Sequence, residues 1–230
     1  MMIHVNGIDL YYEQAGQGPP LILLHGNGES SKIFRRAMAQ FAASHTVYAI
    51  DSRGHGRSGG RGKSARVKEL HYADMAGDVA AFTAALGLEK PCLYGFSDGG
   101  IIGLLVAIEH PELLSKLAVS GANITPDGVK AGWQRAVRLG YFVTRNSKYK
   151  LMRDEPNITA QELGCIETPT LVLAGEKDLI REAHTRKIAA AIPGALLRIL
   201  PGESHGSYVI NSPKLYGELM PFFTPHAACA

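Results

Sequence analysis

The 230-residue chain predicts an α/β domain: a mostly parallel sheet covered by helices on both faces. Three observations predict it. Short apolar runs that read as buried strands, at 21–24, 47–50, 92–96, 116–120, 170–174 and 196–200, alternate with segments of helical periodicity. The hexapeptide Gly95-Phe96-Ser97-Asp98-Gly99-Gly100 lies at one strand-to-helix junction. Residues able to do chemistry recur just beyond the carboxyl ends of the runs, where parallel sheets gather such groups.

Residues 3–5 and 10–13 read as a hairpin around Asn6-Gly7-Ile8-Asp9. The run 21–24 ends in His25-Gly26-Asn27-Gly28, and a helix is expected near 31–42 before the strand 47–50. Met75, Val79, Phe82 and Leu86 recur at helical spacing and predict a helix near 72–86. Strand 92–96 turns at Ser97 into a small-residue helix that stops around His110-Pro111, and strand 116–120 follows. From Gly121 to Pro169 no segment carries a buried-strand signal. Trp133, Val137 and Tyr141 fall at i, i+4 and i+8 and suggest one amphipathic helix there; Thr159, with Glu162 three residues on, suggests the N-cap of another over 159–166. Strand 170–174, a helix near 181–191, strand 196–200 and a closing helix over 213–222 complete the pattern.

G-x-S-x-G between a strand and a helix is a nucleophile elbow, which presents the serine hydroxyl at a helix N-terminus. Ser97 is therefore the candidate nucleophile. A serine needs a base to take its proton and an acid to orient that base. His205 follows strand 196–200 and is the candidate base; Asp178 follows strand 170–174 and is the candidate acid. Glu176 and Glu203 are alternatives, but Asp178 lies farther beyond its strand, where a loop reaches the histidine, and Glu203 is two residues before His205. The backbone N–H groups of Asp98, after the nucleophile, and Asn27, after the strand 21–24, are the candidate oxyanion donors.

With these motifs in this order, including Asp51-Ser52-Arg53-Gly54-His55-Gly56-Arg57-Ser58, the chain resembles an α/β-hydrolase over nearly all its length. The resemblance implies an eight-stranded, mostly parallel sheet, with a core of 1–121 and 169–230 and a short helical cap inserted at 122–168. It implies a cofactor-free serine hydrolase acting on a small ester or related acyl compound through an acyl-enzyme on Ser97. The elbow and Ser120-Gly121-Ala122-Asn123 resemble the valacyclovir hydrolase (biphenyl hydrolase-like) branch, in which an aspartate after the nucleophile is thought to hold the amino group of amino-acyl esters. Asp98 would take that role here, or would simply complement the helix dipole or bond backbone within the elbow. Lactone opening, carbon–carbon bond hydrolysis and a non-catalytic receptor use the same fold.

Phe96, Trp133, Val137 and Tyr141, with Phe142 and Met152, are the candidate substrate contacts. From Ile124 to Arg153 the cap is basic: Lys130, Arg135, Arg138, Arg145, Lys148, Lys150 and Arg153 face Asp127 alone, either as a rim that steers an anion or as solvated helix faces. His25 is expected to order the oxyanion loop and His55 to sit in a tight turn; His110 and His184 read as helix-end and surface residues. Glycines 54, 56, 59, 60 and 62 lack phosphate-loop spacing, and no histidine pair has metal-ligand spacing. A formal charge of +3 is too mild to suggest nucleic acid, and no apolar run approaches the ~20 residues that span a bilayer. Cys92, Cys165 and Cys229 are odd in number and scattered, which speaks against disulfides. Cys92 and Cys165 read as small apolar fillers in a reducing compartment. With no signal-peptide pattern, the expected location is the cytoplasm.

Overall fold

The structure is a computed structural model and describes residues 1–58 and 69–224. Its strands are β1 (Met2–Val5), β2 (Ile8–Ala15), β3 (Pro20–Leu24), β4 (Thr46–Ile50), β5 (Cys92–Phe96), β6 (Lys116–Ser120), β7 (Thr170–Lys177) and β8 (Leu196–Ser204). They form one sheet in the order β1-β2-β4-β3-β5-β6-β7-β8. β1 and β2 make the expected hairpin, tightened to a two-residue Asn6-Gly7 turn with φ of 46° and 74°, and β2 pairs antiparallel with β4. From β4 to β8 every pairing is parallel.

The central strands read as apolar runs because both faces are covered. On one face α2 (Tyr72–Ala85), α3 (Asp98–Glu109) and α7 (Glu182–Ala191) pack with Leu24, Leu93 and Val119; on the other α1 (Arg35–Phe41) and α8 (Lys214–Phe223) pack with Leu21, Tyr94 and Leu173. Each fully buried leucine, isoleucine or valine contributes roughly 1.5–3 kcal/mol over an exposed one. The helix expected near 31–42 is divided, with a 3-10 turn at Ser31–Phe34 before α1. There the Asp51 carboxylate accepts from the Ser31 N–H and fixes the tight start.

β7 and β8 run past their expected ends. A Cβ on Gly175 would lie 2.4 Å from the Glu203 carbonyl oxygen, so only glycine lets the two strands stay in contact through the register shift between Gly175 and Lys177. This extension brings Asp178 and His205 out at adjacent strand ends. Between β6 and β7 lie α4 (Ala131–Thr144), α5 (Ser147–Asp154) and α6 (Ala160–Leu163). α5, which carries no long apolar stripe and buries only Leu151, is not foreshadowed in the sequence. α6 carries the capping box of Thr159 and Glu162 but stops at Leu163.

Candidate active site

β5 delivers the chain to Ser97 at φ 54° and ψ −116°, a strained conformation for a residue with a side chain. The flanking glycines make the turn possible. A Cβ on Gly95 would sit 2.1 Å from the Gly99 carbonyl oxygen, and one on Gly99 would sit 2.3 Å from that of Leu24. No side chain fits either place. The serine hydroxyl is thereby lifted above the sheet at the N-terminus of α3.

The structure brings Ser97, His205 and Asp178 together. His205 Nε2 lies 3.1 Å from Ser97 Oγ, and His205 Nδ1 lies 2.7 Å from Asp178 Oδ1. With its proton on Nδ1 donated to the carboxylate, the imidazole presents an accepting Nε2 to the hydroxyl. The same Asp178 oxygen accepts from the Ile180 N–H at 2.9 Å, so two donors hold Oδ1 of this buried carboxylate in place. The Phe96 ring packs 4.9 Å from the imidazole. Gly121 leaves the space for it, since a Cβ there would meet His205 Cε1 at 2.7 Å. The alternative acids are held elsewhere: Glu176 accepts from the Gly202 N–H, and Glu203 binds the Ser207 hydroxyl and the Lys214 ammonium.

Asn27 and Asp98 line the cavity beside Ser97, and among the described residues neither backbone N–H has an acceptor. Two unengaged donors beside a nucleophile are what a developing oxyanion requires. His25 supports the Asn27 loop from beneath, donating from Nδ1 to the Gly26 carbonyl and accepting the Ser52 N–H at Nε2. Burial pulls its pKa down and keeps it neutral. Glu29 closes the loop from the other side: its carboxylate accepts from the Gly26 N–H at 3.1 Å, and burial pushes its pKa up.

Asp98 opens α3 as the dipole reading expects, yet its carboxylate is engaged across the site rather than within the elbow. Oδ2 accepts from Asn27 Nδ2 at 2.8 Å, and the buried Tyr72 lies near enough to the same carboxylate to oppose the rise in its pKa. Burial raises its pKa to about 6, against the opposing pull of these donors and of the His205 and Lys148 charges.

A cavity of about 880 Å³ opens over Ser97 and His205. Phe96, Trp133, Val137 and Met152 line it. Tyr141 does not. Eight residues beyond Trp133, it has rotated off the inner face of α4, and its ring stacks instead on Arg153, 4.1 Å from the guanidinium carbon. Phe142 also faces outward, 70% exposed. Of the basic residues, Arg138, Lys148 and Arg153 reach the cavity, Arg153 with its guanidinium on Asp154, while Lys150 pairs with Glu69 outside it. Lys148 is half-buried; desolvation lowers its pKa and the nearby Asp98 carboxylate raises it. Sequence reasoning missed Tyr72, Glu29 and the position of Lys148. Glu29 directly follows the His-Gly-Asn-Gly turn, which is a usable signal; Tyr72 carried none.

The remaining expectations hold in part. His184 is no free surface residue: its Nε2 accepts the Ile124 N–H and holds the start of the 122–168 segment. His55 is buried with Nδ1 on the Arg53 carbonyl, and burial drives its pKa down to about 3. Cys92 is buried as a filler should be, but Cys165 is exposed. Glycines 59, 60 and 62 and Cys229 lie outside the described residues.

The α/β hydrolase fold family matches residues 19–141. Human serine hydrolase BPHL is 28% identical over 238 residues, covering 90% of this chain and 80% of that protein. Among solved structures, Est816, an N-acyl homoserine lactone degrading enzyme, superposes with a TM-score of 0.79 at 22% identity over 97% of this chain and all of its own. The enol-lactonase of Burkholderia xenovorans superposes with a TM-score of 0.73 at 21% identity, covering 91% and 94%. At these identities the structures report shared architecture alone, while the family match spans the strand-turn-helix on which Ser97 stands. The chain belongs to the α/β-hydrolase fold family, as a serine hydrolase.

Proposed function

We propose that the protein hydrolyses a small carboxylic ester through an acyl-enzyme on Ser97. The observation that supports this reading is the continuous relay from the Ser97 hydroxyl through His205 to the buried Asp178 carboxylate, at 3.1 and 2.7 Å. In the first half-reaction His205 Nε2 takes the hydroxyl proton as Oγ attacks the ester carbonyl. The Asn27 and Asp98 N–H groups hold the tetrahedral oxyanion, and the imidazolium returns its proton to the leaving alcohol. In the second, water attacks the acyl carbonyl by the same route and frees the acid and Ser97. Asp178 keeps the imidazole in the tautomer that accepts from serine.

Phe96, Trp133, Val137 and Met152 supply the apolar walls for the acyl or alcohol part, in a cavity sized for a small organic ester. The charge of the substrate is not set by the basic rim alone. Lys148 and Asp98 sit within electrostatic reach of each other and offset one another. A neutral ester therefore fits best. An α-amino ester is the second reading, favoured by the carboxylate that directly follows the nucleophile and lines the cavity.

Matched esters of one alcohol, with neutral, α-amino and terminal-carboxylate acyl groups, test both, together with labelling of Ser97 by a fluorophosphonate. Turnover of the neutral ester and labelling lost in Ser97→Ala are expected. Full activity in Ser97→Ala refutes the mechanism, and a large preference for the amino ester moves the second reading ahead.

A further inference from the structure

The side chains of the two residues whose N–H groups would hold the oxyanion are bonded to each other: Asn27 Nδ2 donates to Asp98 Oδ2 at 2.8 Å. We propose that Asp98 is a positioning residue of the oxyanion hole, a clamp that locks the Asn27 and Asp98 backbone donors at a fixed separation through their own side chains. The proposal rests on the hydrolase reading above and assigns Asp98 a task other than holding a substrate ammonium.

The Asn27 loop needs such a clamp. Asn27 lies between two glycines: Gly26 packs closely on Ser97 and Phe96, but Gly28 adopts φ +75° and, among the described residues, nothing lies within 4 Å of where its Cβ would be. On the Gly28 side, side-chain packing therefore does little to hold the peptide. Its ties are hydrogen bonds: His25 Nδ1 to the Gly26 carbonyl at 2.7 Å, Glu29 N–H to the same carbonyl at 3.3 Å, Gly26 N–H to Glu29 Oε2 at 3.1 Å, and Asn27 Nδ2 to Asp98 and, at 3.4 Å, to the Lys148 carbonyl. The first three are local to the loop, and the last leads to α5. Among the described residues, the bond to Asp98 is the hydrogen bond that joins the loop to the elbow, and so one oxyanion donor to the other.

Asp98 is a firm anchor. It is the first residue of α3, 6% exposed, with the buried Tyr72 close to its carboxylate. A carboxylate reserved for a substrate ammonium would instead keep both oxygens open to the cavity. Here Oδ2 already accepts from Asn27, and Lys148 already supplies a cation nearby. Hole geometry acts on the transition state more than on the bound ester, so losing the clamp should lower kcat and leave KM nearly unchanged.

The test is a donor–acceptor exchange on a neutral ester. Asn27→Asp sets two carboxylates against each other and is expected to cost about 10²-fold in kcat, the scale of losing one oxyanion donor. Asp98→Asn keeps an accepting oxygen and should cost only a few-fold, equally for neutral and α-amino esters. The double variant Asn27→Asp/Asp98→Asn rebuilds the bond with its direction reversed and should recover at least ten-fold over Asn27→Asp. The inhibition constant of a boronic acid, which mimics the tetrahedral species, should follow kcat through the series. Asn27→Ala, checked by thermal melting like the rest, serves as the single variant if Asn27→Asp does not fold.

A double variant no better than Asn27→Asp overturns the clamp. So does an Asp98→Asn variant that loses only α-amino ester turnover, through KM. Wild-type protein that neither turns over an ester nor reacts with a fluorophosphonate overturns the hydrolase reading itself; labelled wild type with an unrestored double variant overturns the clamp alone.

Discussion

Gly121→Ala should disable the site without replacing any of its candidate catalytic side chains. Gly121 sits after β6 at φ +60°, and an added Cβ would lie 2.7 Å from His205 Cε1 and 2.8 Å from Nδ1. Non-bonded carbons settle at roughly 3.5 Å, so the imidazole must retreat by about 0.7–0.8 Å. That shift acts on a ring held between contacts of 3.1 Å to Ser97 and 2.7 Å to Asp178. A misplacement of ~1 Å costs on the order of 10²-fold, so kcat/KM should fall about 30- to 100-fold. The backbone cost is smaller: an alanine in the left-handed region loses roughly 1–2 kcal/mol. At ~2–4 °C per kcal/mol for a chain of this size, the melting midpoint should drop by about 2–8 °C. Steady-state kinetics well below that midpoint, with fluorophosphonate labelling rates alongside, separate the two effects. A folded variant with wild-type kcat/KM would refute the claim that the ring must stand where Gly121 allows it.

Further outcomes are expected elsewhere. Ser97→Gly should melt about 2–4 °C above Ser97→Ala, both inactive, because glycine relieves a φ of 54° that alanine keeps; equal midpoints would deny the strain. Asp98, raised from 3.8 to about 6 by burial, adds stability while protonated and loses it as pH climbs through about 6. His55, lowered from 6.5 to about 3, works oppositely, with stability lost as pH falls below 6.5. The midpoint of Asp98→Asn minus wild type cancels the histidine contribution and should grow more positive from pH 4 to 7; a flat difference would contradict the shift. Trp133→Ala should raise KM roughly five-fold with little change in kcat, about 1 kcal/mol of ordinary binding. Phe142→Ser should change neither, and a matching KM rise there would place Phe142 in the cavity after all.

The strands and the candidate catalytic residues were legible because each depends on a local rule. Buried parallel strands must be apolar along their whole length, and a strand-to-helix turn with backbone oxygens 2.1–2.3 Å from where a Cβ would sit admits only glycine at positions 95 and 99. Asp178 and His205 followed from their places after β7 and β8. What stayed hidden depends on three-dimensional neighbours. Tyr141 keeps the spacing of its helix but lies one drift of periodicity too far round, and Arg153 from α5 meets it. α5 has too short an apolar pattern to announce itself, so the reach of Lys148 into the cavity was invisible. Tyr72 meets Asp98 only because α2 and α3 pack together, and no spacing along the chain connects positions 72 and 98.

The segment between β6 and β7 leaves and rejoins the sheet at strands already paired to each other, from Leu117 with Thr170 to Ser120 with Leu173. Doubling such an excursion adds only about 0.6 kcal/mol of closure entropy, so its length and composition can drift while the sheet stays as it is. Evolution, or an engineer, can thus redraw what is admitted without redesigning what reacts. Threads back to the core limit that freedom, the bond to the oxyanion loop above all. The Lys148 carbonyl, on the segment, accepts from Asn27 Nδ2, so a transplanted replacement inherits an obligation to offer an oxygen at that spot. Grafts chosen for that oxygen, rather than for cavity shape alone, are the ones that should retain turnover.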